Sequence, residues 1–453
     1  MFVDCSSLIV DEHRTMNSEQ STYGCSREVA MTEKFDQHIL KNGMVLLGEP
    51  MEAVESVAFG FMLPAGAALL PEGCCGAGNV IADWIFRGAG DKNSRELSDA
   101  LDGLGLHRAG SISSSHITIG AVLEASNLAQ ALDLYADIIL EPRLEEDQFE
   151  LARQLAIDGV HALDDDPRQK VILKLREQFY PPPLGRSPVG NIDELKALTA
   201  QISRGIIKSK FDLSQTIFAV AGKYDFDASC QQMEKLFDSG CLILDTRSSI
   251  EHRVSPQDAL RRSIEPTKYA HINNDSAQVH IGLMTETVKP THEDYYNARV
   301  AVSVLSGGMS ARLFTEVREK RGLCYAVGAQ YHTLRDAAGI MCYAGTTPEK
   351  AQETLDCVIG EFNRLSEGIT EEEIERAKVG LKSSLILQSE SSSSRAGAIG
   401  SDYYMLGRVR SLDEIKGKIE QTSVDSVLDF LRDNKFKDFT VVTIGPKEIQ
   451  IKK

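Results

Sequence analysis

Val57-Ala-Phe-Gly60-Phe61 returns later in the chain as Val279-His-Ile-Gly282-Leu283. Both stretches are apolar runs with a glycine at the same place, an offset near 220 residues. Three more pairs follow in the same order. Glu146-Asp-Gln-Phe149-Glu150 matches Glu371-Glu-Glu-Ile374-Glu375, Asp193-Glu194-Leu195 matches Asp413-Glu414-Ile415, and Ala221-Gly222 matches Ile444-Gly445. Ordered self-similarity at one period is the mark of a duplicated unit. Length alone, 453 residues at roughly 150 per domain, suggests about three domains. The repeat resolves this to two homologous domains, residues 34–246 and 269–453. A polar linker, 247–268, joins them, and a disordered leader is expected over residues 1–33.

Each half mixes two periodicities. His116-Ile-Thr-Ile-Gly-Ala-Val122 alternates as a strand does. Asn93 with Glu96 three residues later predicts a capping box, followed at helical spacing by Leu97, Ala100, Leu101 and Leu104. Phe149, Ala152, Leu155, Ala156, Val160 and Leu163 predict a second helix, and Thr347-Pro348 a third helix start. Strands joined by hairpins, with long helices after them, place the chain in the α+β class. Each domain is expected to be an antiparallel β-sheet packed with α-helices.

Composition removes several classes of function. Lys plus Arg number 49 against 66 Asp plus Glu, a net charge of −17 that disfavours nucleic acid. Val57 to Leu70 is uncharged but spans only 14 residues and contains Pro64, too short for a membrane helix of roughly 20. It is read as core, and no membrane partner is expected. The first 20 residues hold Asp4, Asp11 and Glu12 and no basic start before a long apolar run, which argues for a cytoplasmic protein. Nine cysteines without a C-x-x-C pair argue against a disulfide framework and a zinc ribbon. No P-loop, dinucleotide fingerprint or G-x-S-x-G elbow occurs. No two of the ten histidines are three or four residues apart, so no His pair on one helix holds zinc.

Two segments remain: Gly76-Ala-Gly-Asn79-Val-Ile-Ala82-Asp83-Trp-Ile-Phe86-Arg87-Gly88, and Leu305-Ser-Gly307-Gly308-Met-Ser310-Ala-Arg312-Leu-Phe-Thr-Glu-Val-Arg318-Glu-Lys-Arg321-Gly-Leu-Cys-Tyr325. Together with the duplication, they resemble the insulinase/pitrilysin-like zinc peptidases, the inverzincins. More narrowly, they resemble the half-size branch that includes the mitochondrial processing peptidase. In active members of that family the first segment reads H-x-x-E-H before F-[KR]-G. Its histidines bind zinc, and its glutamate is the base for the bound water. Aligned on Phe86-Arg87-Gly88, Asn79 and Asp83 stand at the histidine positions and Ala82 at the base. A later glutamate ligand falls at Gly159. The resemblance therefore implies the fold, while this chain has lost the ligands: no cofactor is expected on it, and zinc is expected in a partner.

The second segment keeps its chemistry. Arg318 and Tyr325 stand seven residues apart, as does an Arg/Tyr pair in the non-zinc half of the family, which by resemblance holds the substrate carbonyl as it becomes tetrahedral. Gly307 and Gly308 match a Gly-rich segment tied to substrate handling. The resemblance thus implies the non-zinc subunit of a heterodimeric zinc metalloendopeptidase. Its partner would be a homologous zinc-bearing subunit and its substrate a peptide. Two other functions stand beside it: a proteolytically inactive structural or peptide-binding homologue, and an autonomous metallopeptidase with an atypical metal site. Plainer readings exist for single residues. Arg318, Lys320 and Arg321 fit a dipole-matched helix end. Asn79, Asp83 and Asp158 fit either a weak oxygen-ligand site or a hydrated remnant, and Gly307-Gly308 a turn. Ser389 to Arg395 fits a linker, a polar helix or a hinge.

Overall fold

The computed structural model describes residues 34–238 and 269–450. The expected leader, 1–33, and the expected linker, 247–268, lie outside the described residues. Strands of the first half are β1 (Asp36–Ile39), β2 (Val45–Pro50), β3 (Ser56–Leu63), a small hairpin β4 (Gly88–Ala89) and β5 (Lys92–Asn93), β6 (His107–Ile112), β7 (Ile117–Glu124) and β8 (Ile217–Gly222). Its helices are α1 (Ala77–Trp84), α2 (Ser94–Gly103), α3 (Leu128–Leu140), α4 (Glu146–His161), α5 (Pro167–Phe179), α6 (Ile192–Ala197), α7 (Ala200–Lys210) and α8 (Phe226–Met233). The second half has β9 (Tyr269–Asn273), β10 (Val279–Glu286), β11 (Cys324–Thr333), β12 (Ala338–Thr346) and β13 (Thr440–Gly445). Its helices are α9 (Tyr295–Ser306), α10 (Ala351–Leu365), α11 (Glu371–Ser389), α12 (Ser392–Leu406), α13 (Leu412–Glu420) and α14 (Val424–Asp433).

The two large sheets run β1-β2-β8-β3-β7-β6 and β11-β12-β10-β13-β9. Read from β6 and from β11, five strands follow in the same order, so the duplication seen in the repeats is a duplication of topology. The two quoted pentapeptides are the β3 and β10 segments, each between the second strand of a hairpin and a late strand. Most pairing is antiparallel, but each sheet also has one parallel pair, β2 with β8 and β13 with β9. The hairpin reading did not include these pairs, because the late strand closes each unit only after a run of helices.

Local sequence explains most boundaries. Asn93 accepts from the Arg95 and Glu96 amides while Glu96 reaches back, so α2 opens on the expected box. Thr370 and Glu373 do the same at α11. Within the Ser389–Arg395 stretch α11 ends at Ser389, Ser391 caps α12, and Ser392 to Arg395 form the first turn of that helix. Thr347-Pro348 opens a turn, and α10 starts only at Ala351. Leu155, expected on the buried stripe of α4, is exposed while Phe149, Ala152 and Ala156 are buried. A helix turns about 100° per residue, so Leu155 sits off the face of Phe149.

One helix from each half crosses over, α5 from the first and α12 from the second. Val171 and Leu175 of α5, from the first half, pack on Met284, Met341, Tyr343, Val442 and Ile444 of the second sheet. In return α12, from the second half, covers the first sheet. Ile399 packs with Leu47, Ile217 and Ala219, and Ala396 with Ala58 and Ala221. Each sheet thus has one face on its own helices and one under a helix of the other half. That is why β8 and β13 are buried along their whole length. One buried ion pair ties the exchange: Arg395 of α12 and Glu49 of β2 are 4 % and 7 % exposed and meet at 2.8 Å.

Candidate functional site

In the first half, α1 lies against α4. Trp84 is fully buried, stacks edge-on with Phe149 at 4.9 Å and donates to the Glu145 carbonyl at 2.9 Å. Val80, Ile81 and Trp84 point inward, which leaves Asn79, Ala82 and Asp83 on the half-buried face. The sheet edge beside them is β6, exposed along all but its last residue, and the Ile112 side chain at its end lies against Gly78 of α1.

The residues on that face are already engaged. The Asn79 side-chain amide donates to the Pro188 carbonyl at 2.6 Å, and Asp83 accepts from Arg87 at 2.5 Å. Ala82 packs on the apolar core and offers no base. Gly159, exposed on α4, has no side chain to give, and Asp158 accepts from Gln154 at 2.8 Å. An amide whose nitrogen is spent on a carbonyl, and a carboxylate tied to guanidinium, do not fit the imidazole-rich set that holds catalytic zinc. Among the described residues no group of three or more His, Cys, Asp or Glu could hold a metal ion. The described cysteines, among them the adjacent Cys74 and Cys75, are free thiols. Burial pushes the Cys75 thiol up to about 11, so it stays protonated near neutral pH.

The second half presents the opposite arrangement. Gly307 closes α9, where a Cβ would lie 2.5 Å from the Ser303 carbonyl, so the tight end requires glycine. Gly308 has open space around it and no such need. Arg312 anchors the segment that follows: it grips Glu373 of α11 through two nitrogens at 2.7 and 2.8 Å. That guanidinium holds the Glu373 carboxyl down at about 2. Residues Phe314–Lys320 then form a widened helical turn with Arg318 on its outer side. Arg318 is exposed, lies over the Phe314 ring at 4.6 Å, and has no carboxylate partner among the described residues. Gly322 ends the turn, its amide bonded to the Arg318 carbonyl at 3.1 Å.

Tyr325 is the second residue of β11 and is 46 % exposed. Its ring lies across β12 at Gly345, where a Cβ would sit 2.4 Å from the phenol oxygen. The phenol donates to Gln278 Oε1 at 2.6 Å. Beside it stands Tyr343, whose phenol is pushed up by burial and then by Tyr325. Tyr343 bonds His280 Nδ1 at 2.9 Å, and burial holds the His280 imidazole below its ordinary value. Arg168, from the first turn of the exchanged α5, stacks over the Tyr343 ring at 5.0 Å. Gln278, His280, Tyr343 and Arg168 were not singled out in the sequence. They converge only through the register of β10, β12 and β11 and through the crossing of α5. His280 was in plain view inside the repeat, but nothing in its spacing marks it.

Residues 49–190 match the insulinase peptidase family M16, and residues 197–381 match the M16 inactive domain. The uncharacterized zinc protease Rv2782c of Mycobacterium tuberculosis is 26% identical over 409 residues, which is 90% of this chain and 92% of that one. The uncharacterized zinc protease YmxG of Bacillus subtilis is 24% identical over 414 residues, 90% of this chain and 98% of its own. Among solved structures, a peptidase M16 inactive domain from Pseudomonas fluorescens superposes with a TM-score of 0.78 at 18% identity, covering 92% of this chain and 99% of that one. A chain of complex III2 from Candida albicans does so at 0.76 and 18% identity, over 92% and 97%. No helix among the described residues is long and apolar enough to cross a membrane. With both halves matched, the fold shared, and the length shared with the relatives, this chain belongs to the insulinase-type M16 family of zinc peptidases.

Proposed function

We propose that this chain is the non-zinc subunit of a heterodimeric metalloendopeptidase. Its partner is a homologous chain with an intact H-x-x-E-H, which holds the metal and the base. This chain lends Arg318 and Tyr325 as donors to the carbonyl oxygen of the bound peptide as it gains charge. The observation that supports the reading is a contrast. The half-buried α1 face is engaged in local bonds, while Arg318 has no carboxylate partner among the described residues and Tyr325 stays exposed, its phenol held by the exposed Gln278. Gly307 and Gly308 line the approach as a small-residue segment for the substrate backbone. The substrate is a peptide held as an added strand on a sheet edge. Among the described residues no strand pairs with the outer edge of β6, whereas in β11 the Ala329 amide is already spent on Ser306 Oγ at 2.8 Å. The acidic surface favours basic peptides, and the complex is placed in the cytoplasm.

The test is purification of the chain from its native cells with whatever accompanies it, followed by cleavage of a mixed peptide library with and without a chelator. A partner of similar size and chelator-sensitive cleavage are expected. Tyr325→Phe then lowers turnover of the complex by about 10²-fold with assembly intact. Unchanged turnover rejects the role. The fold match to a complex III chain supports a second reading, an assembly component without proteolysis. A stable partner complex that cleaves no peptide selects it.

A further inference from the structure

A cavity of about 210 Å³ opens between α9, α11, α12 and α13 in the second half, away from Arg318 and Tyr325. Its lining includes an apolar set, Leu381, Leu385, Ile399, Ile415 and Ile419. It also includes three arginines, 299, 395 and 410. Two are neutralised within the protein: Arg395 by Glu49 at 2.8 Å, and Arg410 by Asp402 at 2.6 Å. The third is not. Arg299 lies over the rings of Tyr295 and Tyr331, at 5.7 and 6.0 Å, and gives one hydrogen to the Tyr295 hydroxyl at 2.8 Å. No carboxylate among the described residues pairs with it. A guanidinium has five donors in a fixed fork, and a half-buried one is ordinarily matched by an acid.

We infer that this cavity binds a small apolar carboxylate, with Arg299 as its anion-binding residue. Three features select that class. One unmatched cation calls for a monoanion, since the charges of Arg395 and Arg410 are already answered. The planar fork of Arg299 matches a carboxylate through two parallel bonds, and the tyrosine rings keep the guanidinium in place. The volume of about 210 Å³ suits one amino-acid side chain or a short acyl chain. The apolar lining then takes the hydrocarbon and Arg299 the acid. Two sources share this chemistry, the C-terminal residue of a peptide with an apolar side chain, and a free short-chain fatty acid.

Isothermal titration calorimetry on the full chain tests it, with N-acetyl-leucine and hexanoate as probes and with N-acetyl-leucinamide and hexanol as their uncharged counterparts. The acids are expected to bind and the neutral molecules to bind at least about tenfold more weakly. Arg299→Gln is expected to remove the difference. Ala398→Leu, a substitution at an exposed position on the cavity wall, is expected to block both acids while leaving the melting temperature near that of the parent chain. Tighter binding of N-acetyl-leucine identifies the peptide terminus as the source, and tighter binding of hexanoate the fatty acid. No heat from either acid up to about 10 mM, equal affinity for acid and amide, or acid binding untouched by Ala398→Leu overturns the inference. None of these measurements involves peptide cleavage or a partner, so they stand apart from the subunit role.

Discussion

In the first half, the helix beside the exposed sheet edge is α1. Its outward residues, Asn79 and Asp83, spend their polar atoms on Pro188 and Arg87. In the second half, the counterpart region after α9 spends Arg312 on Glu373 but leaves Arg318 and Tyr325 facing outward. The sheets behind the two regions have the same strand order. Scaffold and chemistry have therefore separated. A polar group that no longer serves a ligand is drawn into whatever local bond is near, because an unmet donor or acceptor costs about 1–3 kcal/mol. Arg318 and Tyr325 by contrast remain on the surface, Arg318 over the Phe314 ring and the Tyr325 phenol bonded to Gln278.

The comparison holds only if the halves behave as one body, and the exchanged helices make that testable. Glu49→Gln leaves Arg395 buried without its charge partner. A loss of about 3–5 kcal/mol in urea unfolding is expected, with most of it recovered in a Glu49→Leu/Arg395→Met double variant. A loss below about 1 kcal/mol would mean that the exchange rests on apolar contact alone. The apolar arm comes next. Leu175 is fully buried against the opposite sheet, and Leu175→Ala is expected to cost about 3 kcal/mol by the same measurement. Destabilisation of the second sheet, seen as faster amide exchange in β12 and β13, would sharpen the point, since Leu175 belongs by sequence to the first half.

These contacts mark the limit of what the sequence discloses. The duplication was legible because matched segments such as Val57–Phe61 and Val279–Leu283 keep their order, and order survives when identity fades. The Arg318/Tyr325 pair was legible for the same reason, as a spacing. The runs Ile217-Phe-Ala-Val-Ala-Gly222 and Thr440-Val-Val-Thr-Ile-Gly445 do announce strands buried on both faces. Periodicity says that a face is apolar but not which element covers it, so nothing in Val171 or Ile399 names the opposite half. The setting of Tyr325 was illegible on similar grounds: Gln278, Tyr343 and Arg168 come from three elements 47, 18 and 157 residues away.

Protonation offers a milder way to stress the same seam. Burial, and then Arg335, holds the His116 imidazole at about 4. Burial, and then Arg176, does the same for His332. Each meets a tyrosine of the other half: His116 lies 4.4 Å edge-on from Tyr404 of α12, and His332 bonds the Tyr180 hydroxyl at 2.8 Å just after α5. The unfolded chain takes protons near pH 6.5 that the folded chain refuses until about 4. The stability these neutral rings provide is thus full above about pH 6.5 and is lost as pH falls toward 4. On the order of 2 kcal/mol per histidine is expected to disappear between pH 7 and pH 4.5. His116→Gln should flatten the curve by one such step and His116→Gln/His332→Gln by two. A curve as steep in the double variant as in the parent would place the acid sensitivity elsewhere.

The smallest effect on stability is the most informative about function. Gln278 is the acceptor for the Tyr325 phenol, at 2.6 Å on an exposed part of the sheet. Water can replace it, so Gln278→Leu is expected to change unfolding free energy by less than about 1 kcal/mol. Without that acceptor the ring still lies across Gly345, and the phenol hydrogen is released from its bond. A phenol has one hydrogen, so if Tyr325 serves an oxyanion in a partner's site it must first give up its bond to Gln278. Turnover of the complex in Gln278→Leu should then equal the parent's or exceed it by a few-fold, against the large loss in Tyr325→Phe, with melting temperature unchanged. A several-fold fall in Gln278→Leu would mean that Gln278 itself meets the substrate or holds the ring in place. Equal turnover in all three would make the exposed pair as idle as Asn79 and Asp83, and the contrast between the halves would be one of exposure alone.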